Sequence, residues 1–249
     1  MLGWLFPIKC VFCGAALPAY ANLGVCGACE KDIPFYRSSY LFEASGSDEG
    51  TATGSGVSAA KDTGVGVATS PGVGANGWRN RCDRVVCALR YEGFVSSALM
   101  RYKFYQQPGI GETLAALLCA KIDRVERASL FDCVACVPLS SPREKERGYN
   151  QAAIIARHTA KYFGRPFDGR LLLRDASALR QSRLSGRERS TSARAAYSPN
   201  PKRAAAVEGM RVLLVDDIAT TLATINACAG ALKAAGASSV VGAVVAARV

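Results

Sequence analysis

Apolar and polar positions change rhythm several times along the chain. From Asp83 to Tyr91 the run DRVVCALRY is short, almost continuously apolar and closed by charged residues, the pattern of a buried strand. Apolar residues then recur three and four apart over 94–104 and 110–127, predicting two helices, before Phe131 to Leu139 returns to a buried-strand pattern. A helix is expected at about 149–163. The chain closes with a strand at 210–215, a helix at 223–235 and a strand at 239–246. Strands alternating with helices argue for an α/β fold whose mostly parallel sheet is flanked by helices on both faces. No internal repeat is visible.

Two segments break this rhythm. Residues 44–77 contain nine glycines and no Leu, Ile, Phe, Tyr or Trp, too little apolar surface to offset the entropy of ordering. A mobile linker is therefore expected over 44–81, dividing a small module at 1–43 from a globular domain at 82–249. The second segment, 170–203, is basic, with a short helix expected near 185–195.

Charge sharpens this picture. The 249 residues carry 31 Lys and Arg against 20 Asp and Glu, a net charge of +11. Residues 140–203 hold fifteen of the basic residues and five of the acidic ones. Such concentration suits an anionic ligand, a polyphosphate or a nucleic acid backbone, although a solvated basic surface has the same composition. No apolar run reaches the roughly 20 residues of a membrane span. The opening MLGWLFPIK is cut short by Pro7 and Lys9 and lacks a basic leader, so Ala19-Tyr20-Ala21 is weak support for signal cleavage and a cytoplasmic protein is expected.

The ten cysteines point to metal before disulfides. Cys10-x-x-Cys13 and Cys26-x-x-Cys29 stand twelve residues apart, with glycine after Cys13 and Cys26, the layout of two knuckles converging on one tetrahedral zinc. Four thiolates leave no open position, so the zinc would be structural; two local disulfides or free thiols are the alternatives. Cys133 and Cys136 share the C-x-x-C spacing but lie in a strand pattern, where odd spacing sends them to opposite faces as buried thiols. His158, the single histidine, sits mid-helix, and no motif ties a nucleophile to it, which argues against a Ser/His or Cys/His hydrolase.

The stretch Met210-RVLLVDDIATTLAT-Ile225 carries the remaining chemistry. In parallel α/β sheets ligands bind at the carboxyl ends of strands, where a loop opens into a helix with unpaired amides. Adjacent carboxylates at Asp216 and Asp217 repel each other unless hydroxyl donors or a metal satisfy them. Thr220, Thr221 and Thr224 place hydroxyls where a phosphate would sit. A sugar phosphate meets both requirements; an exposed turn with Thr221 or Thr224 as helix N-cap meets the composition too.

This stretch resembles the phosphoribosyltransferase signature of two acidic residues after a strand, then a Thr/Gly-rich loop. With Val137-PLSSPREKERGYNQA, Gln181-SRLSGRER and the N-terminal cysteines, the chain resembles the ComF family of competence and DNA-utilisation proteins over most of 1–43 and 82–249. The resemblance implies a type I phosphoribosyltransferase-like sheet with a small zinc-ribbon-like module. It implies phosphoribosyl pyrophosphate, or a related sugar phosphate, bound with Mg2+, and ribosyl phosphate transfer to an unnamed acceptor. In that reading Asp216 and Asp217 hold the ribose hydroxyls, and Thr220, Thr221 and Thr224 the 5′-phosphate. Ser140, Arg143, Lys145, Arg147 and Gly148 form a turn for the pyrophosphate, and Gln181, Leu184 and Arg189 belong to a covering segment. The alternative implied by the competence association is a non-catalytic module that holds single-stranded DNA or a helicase partner through the zinc module and the basic segment.

Lys103 in ALMRYKFYQQ matches a lysine recurrent in the pattern, and a helix-surface lysine is an equally good reading. Leu222 stands where the family usually has glycine; in left-handed geometry a leucine would cost roughly 1–2 kcal/mol and crowd the phosphate loop. Ser192 stands where asparagine is common, and the linker replaces a second cysteine cluster, with Cys82 as its remnant.

Overall fold

The computed structural model describes residues 8–18, 24–43, 81–105, 107–126, 130–175 and 196–248. The expected linker, the helix near 185–195, Ser192 and the covering residues Gln181, Leu184 and Arg189 lie outside the described residues. Along the chain run α1 (Gly27–Lys31), β1 (Phe42–Glu43), β2 (Arg84–Arg90), α2 (Gly93–Phe104), α3 (Ile110–Val125), β3 (Cys133–Cys136), α4 (Ser141–Arg147) and α5 (Gln151–Tyr162). They are followed by β4 (Leu172–Arg174), β5 (Tyr197–Pro199), α6 (Ala204–Val207), β6 (Arg211–Ala219), α7 (Ala223–Ala234) and β7 (Ser239–Ala247).

Five strands form one sheet in the order β1-β2-β7-β6-β3. All pairings are parallel except β1 with β2 at the edge. The strands are apolar on both faces because both are covered. Alternation along β6 sends Val212 and Leu214 to one core and Leu213 and Val215 to the other. The first core lies under α2, α3 and α5; the second lies under α7 and the antiparallel pair β4 and β5. Cys133 faces the second core and Cys136 the first, as their odd spacing requires.

Gly242 on β7 marks the tightest approach between sheet and helix. A Cβ there would stand 2.9 Å from Ile225 Cγ2 and 3.2 Å from Val85 Cγ2, so α7 packs at a distance only glycine allows. The N-terminal segment joins the first core instead of standing apart. Cys10, Phe12, Leu17, Cys29 and Ile33 are buried in it, the Phe12 and Phe94 ring centroids are 4.9 Å apart, and Arg101 Nη2 donates to Phe12 O at 3.0 Å. Residues 34–43 then run beside β2, with Arg90 N donating to Pro34 O and Leu41 N to Val85 O.

Two elements near the expected site differ from the sequence reading. β6 does not stop at Val215: backbone pairing continues with Asp216 opposite Val244 and Ala219 opposite Ala247, so both aspartates lie inside the strand. Residues 141–147 form a helix and not an open turn, started by Ser140 and Pro142 and stopped by Gly148 at φ +77°. The strand expected over 131–139 shrinks to Cys133–Cys136 because Pro138 cannot donate to the ladder.

Candidate functional site

At the carboxyl ends of β3 and β6 a cavity of about 170 Å³ is lined by Lys103, Arg143, Arg147, Asn150, Gln151, Arg174, Tyr197, Asp216, Asp217 and Thr224, with Val137 to Leu139 as one wall. Helix geometry selects which cations of α4 reach it. Arg143 and Arg147 are four residues apart and share a face, whereas Lys145 points elsewhere and is exposed. Ser140 is buried as the residue before α4, Gly148 ends the helix, and Thr220 and Thr221 are exposed; these four stand outside the cavity lining.

The end of α2 and the start of α5 are tied together around Gln151. Tyr102 Oη donates to Gln151 O at 2.9 Å, Gln151 Nε2 to Lys103 O at 3.5 Å, and Arg147 Nη1 to Gln151 Oε1 at 3.1 Å. Tyr149 Oη donates to Tyr102 O. Asn150 caps α5 by accepting from Ala153 N, and its Nδ2 donates to Val137 O at 3.1 Å, fixing the helix to the end of β3. Lys103 and Arg147 therefore spring from a rigid corner.

Because successive residues of a strand point to opposite faces, the two aspartates do not form a symmetric clamp. Asp217 faces α2 and pairs with Lys103 at 3.0 Å, with side chains 10% and 18% exposed. Asp216 is half-buried, and its Oδ1 accepts from Asp217 N at 2.8 Å. Removal from water pushes the Asp216 carboxyl up to about 8, and the neighbouring Asp217 charge adds to this; the Asp217 N–H and the Lys103 charge oppose it. Near neutral pH Asp216 therefore keeps its proton. On the opposite side Arg174 lies over the Tyr197 ring, 5.2 Å from its centroid, and burial pushes the Tyr197 phenol up to about 12.

Two buried donors of the cavity residues, Arg147 Nε and Arg174 Nε, have no acceptor among the described residues. Buried N–H groups are nearly always satisfied, so these fit a site that receives an anion. Thr224 lines the cavity in the first turn of α7. The cap of that helix is Leu222, without a side-chain cap bond, so neither Thr221 nor Thr224 serves as N-cap. Leu222 has φ −76°, outside the left-handed region, and packs against the second core; the expected backbone strain is absent.

The sequence reading left Lys103 undecided and overlooked Arg174 and Tyr197. The neighbour of Lys103, three turns into an amphipathic helix, gave no sign of Asp217 more than a hundred residues away. Arg174 and Tyr197 sit on strands of three residues each, too short for a periodic signal.

A second cluster lies in the N-terminal segment. The Sγ atoms of Cys10, Cys13, Cys26 and Cys29 all lie within 4.8 Å of one another, with Cys13 and Cys26 Sγ 3.6 Å apart. A tetrahedral ion with bonds of about 2.3 Å needs sulfurs about 3.8 Å apart, so the four thiols can hold one metal ion. None of the ten cysteines is in a disulfide. Cys26 N donates to Cys10 Sγ at 3.4 Å and Cys29 N to Cys26 Sγ at 3.4 Å. Burial raises the Cys10 thiol, but backbone donors at Cys13, Cys26 and Phe12 outweigh it and hold it down at about 6; burial pushes Cys29 up.

The chain is 29% identical over 160 residues to DNA utilization protein YhgH of Salmonella typhi, covering 63% of this chain and 69% of that protein. It is 29% identical over 157 residues to Competence protein F of Haemophilus influenzae, covering 62% and 68%. The chain is similar to these competence and DNA-utilisation proteins, as its resemblance to the ComF family implies. Escherichia coli YhgH is 26% identical over 160 residues, covering 63% of this chain and 69% of its relative. No protein-family profile matches the chain. Among solved structures it is similar to the allosteric regulatory enzyme of purine biosynthesis, with a TM-score of 0.40 and 23% identity over 59% of this chain and 30% of that one. Glutamine phosphoribosylpyrophosphate amidotransferase from B. subtilis gives 0.39 with the same identity and coverage. The chain thus spans under a third of those enzymes.

Proposed function

We propose that this protein binds phosphoribosyl pyrophosphate with Mg2+ in the cavity at the ends of β3 and β6 and transfers its ribosyl phosphate to an acceptor, in a cytoplasmic role in DNA utilisation. The observation that carries the reading is the meeting of two adjacent carboxyls with Arg143, Arg147 and Arg174, two of whose buried Nε donors lack acceptors among the described residues. A ligand with vicinal hydroxyls at one end and phosphates at the other satisfies both sets. Asp217, held by Lys103, accepts from one ribose hydroxyl, and protonated Asp216 hydrogen-bonds the other. Thr224 faces the 5′-phosphate, and the arginines take the pyrophosphate.

In the transfer the bond from C1′ to the pyrophosphate oxygen breaks and its electron pair leaves with the pyrophosphate. The acceptor's lone pair forms the new bond to C1′, and the acceptor's proton is lost. Fixed guanidinium groups stabilise the charge that develops on the leaving oxygens without reorganising. Mg2+, held through substrate oxygens near Asp216 and Asp217, would supply further neutralisation of that charge. Among the described residues no helix is long and apolar enough to cross a membrane. The four-cysteine cluster is read as a structural zinc site, since four thiolates close the shell.

Calorimetry with phosphoribosyl pyrophosphate and Mg2+ tests this reading: the wild type binds and Asp216→Asn/Asp217→Asn does not. Absence of heat with the wild type overturns it. A second reading, in which the zinc module and the 140–203 segment hold single-stranded DNA or a helicase partner, is favoured by the exposed Arg143 and Lys145 of α4 and by the exposed Phe104 ring, whose centroid lies 5.1 Å from Arg147 Cζ. Oligonucleotide affinity that falls steeply with salt and with Arg143, Lys145 and Arg147 neutralised supports it; affinity indifferent to both rejects it.

A further inference from the structure

A larger cavity, about 590 Å³, opens on the other side of Pro138 and Leu139. It shares that wall and Asn150 with the first cavity, and its remaining lining comes from Cys136 at the end of β3, Glu144 of α4, α5, the loop before β4 and the turn after β5. Arg157, Arg170 and Arg203, from three separate chain segments, converge on it against the carboxylates of Glu144 and Asp168. Arg203 pairs with Asp168 at 3.6 Å. Among the described residues neither Arg157 nor Arg170 is in an ion pair.

The three side chains are exposed, and the segments that carry them are fixed. Arg157 lies over the Phe167 ring, 5.4 Å from its centroid. That ring folds back on its own loop so closely that a Cβ at Gly169 would stand 2.8 Å from Phe167 Cζ. The backbone of Arg170 is pinned twice: its N–H donates to Asp168 Oδ1 at 2.9 Å, and its carbonyl accepts from Asn200 Nδ2 at 2.9 Å. Asp168 N in turn donates to Val134 O at 3.0 Å, so the loop continues the edge of the sheet. Asn200 also fixes the turn that carries Arg203, whose N–H donates to Asn200 O at 2.8 Å.

The geometry points to a second binding site, separate from the first cavity, in which Arg157, Arg170 and Arg203 hold a phosphate monoester. Guanidinium groups carried by a helix and two pinned loops match phosphate oxygens in paired hydrogen bonds, and the volume lies within the usual range for a small ligand. The site stands whether or not the first cavity takes phosphoribosyl pyrophosphate.

Equilibrium dialysis of the full chain with labelled inorganic phosphate tests it. The wild type binds phosphate at this site, and Arg157→Gln/Arg170→Gln weakens that binding at least tenfold while leaving phosphate retained through Arg143 and Arg147 in place. Arg170→Gln alone, on an exposed side chain, gives a partial loss and guards against misfolding. Adenosine monophosphate displacing the bound phosphate identifies a free nucleotide as the source; displacement only by a 5′-phosphorylated oligothymidylate identifies a strand end. Unchanged phosphate binding in the double variant, or displacement by neither competitor, overturns the proposal. Loss of phosphate only with Arg143→Gln/Arg147→Gln would sink this site and leave the first intact.

Discussion

Asp216→Asn keeps the shape of the side chain and removes its ionisation. In the folded protein the Asp216 carboxyl holds its proton up to about 8, against an ordinary value of about 3.9 in an unfolded chain. Between those values the folded state binds more protons than the unfolded state, so stability falls as pH rises; the full cost is reached above the folded value. A shift of about four units corresponds to as much as roughly 5 kcal/mol, and relaxation around a half-buried group reduces this to about 2–3 kcal/mol. Asn carries no such dependence. Urea unfolding followed by circular dichroism, near pH 5 and near pH 9, should show the variant gaining on the wild type by about 2 kcal/mol at the higher pH. A difference between the two proteins that stays constant across that range would refute the assignment of a neutral, desolvated Asp216.

Lys103→Met leaves the nearly buried Asp217 carboxylate without its partner and should cost about 2–3 kcal/mol in the same unfolding assay. Lys103→Met/Asp217→Asn should recover most of that loss; additive losses would deny the coupling. Leu222→Gly relieves no strain, since φ is already −76°, and removes contacts with the second core. It should lower stability by about 1 kcal/mol and leave phosphoribosyl pyrophosphate affinity unimproved, measured by unfolding and calorimetry; tighter binding would show that the leucine side chain blocks the loop. Metal analysis should give about one zinc per chain, lost in Cys10→Ser/Cys13→Ser. The melting temperature should fall with it, because the cysteine segment packs into the first core.

The alternation of strand and helix patterns was legible because both faces of the sheet are covered, which makes β2, β6 and β7 continuous apolar runs. The cysteine spacing was legible because its geometry is local. Reading failed where a residue's fate depended on distant partners. Asp216 looks like the end of a strand, yet Val244 pairs with it across the ladder and carries β6 on to Ala219. The charged run SPREKER looks like a turn, although Ser140, Pro142 and Gly148 are helix start and stop signals. Its helical spacing separates Lys145 from Arg143 and Arg147. Arg174 and Tyr197 come together only through pairing of β4 with β5, across an interval that no local pattern spans.

In the proposed function the cavity at the ends of β3 and β6 recognises an anionic sugar phosphate through preorganised guanidinium groups. Titrating phosphoribosyl pyrophosphate with Mg2+ into Arg147→Gln/Arg174→Gln tests this, because each of these residues carries a buried Nε donor without an acceptor among the described residues. Affinity should weaken by about a hundredfold, near 2.7 kcal/mol, in a protein that unfolds at the wild-type urea midpoint. Wild-type affinity in that variant would contradict it.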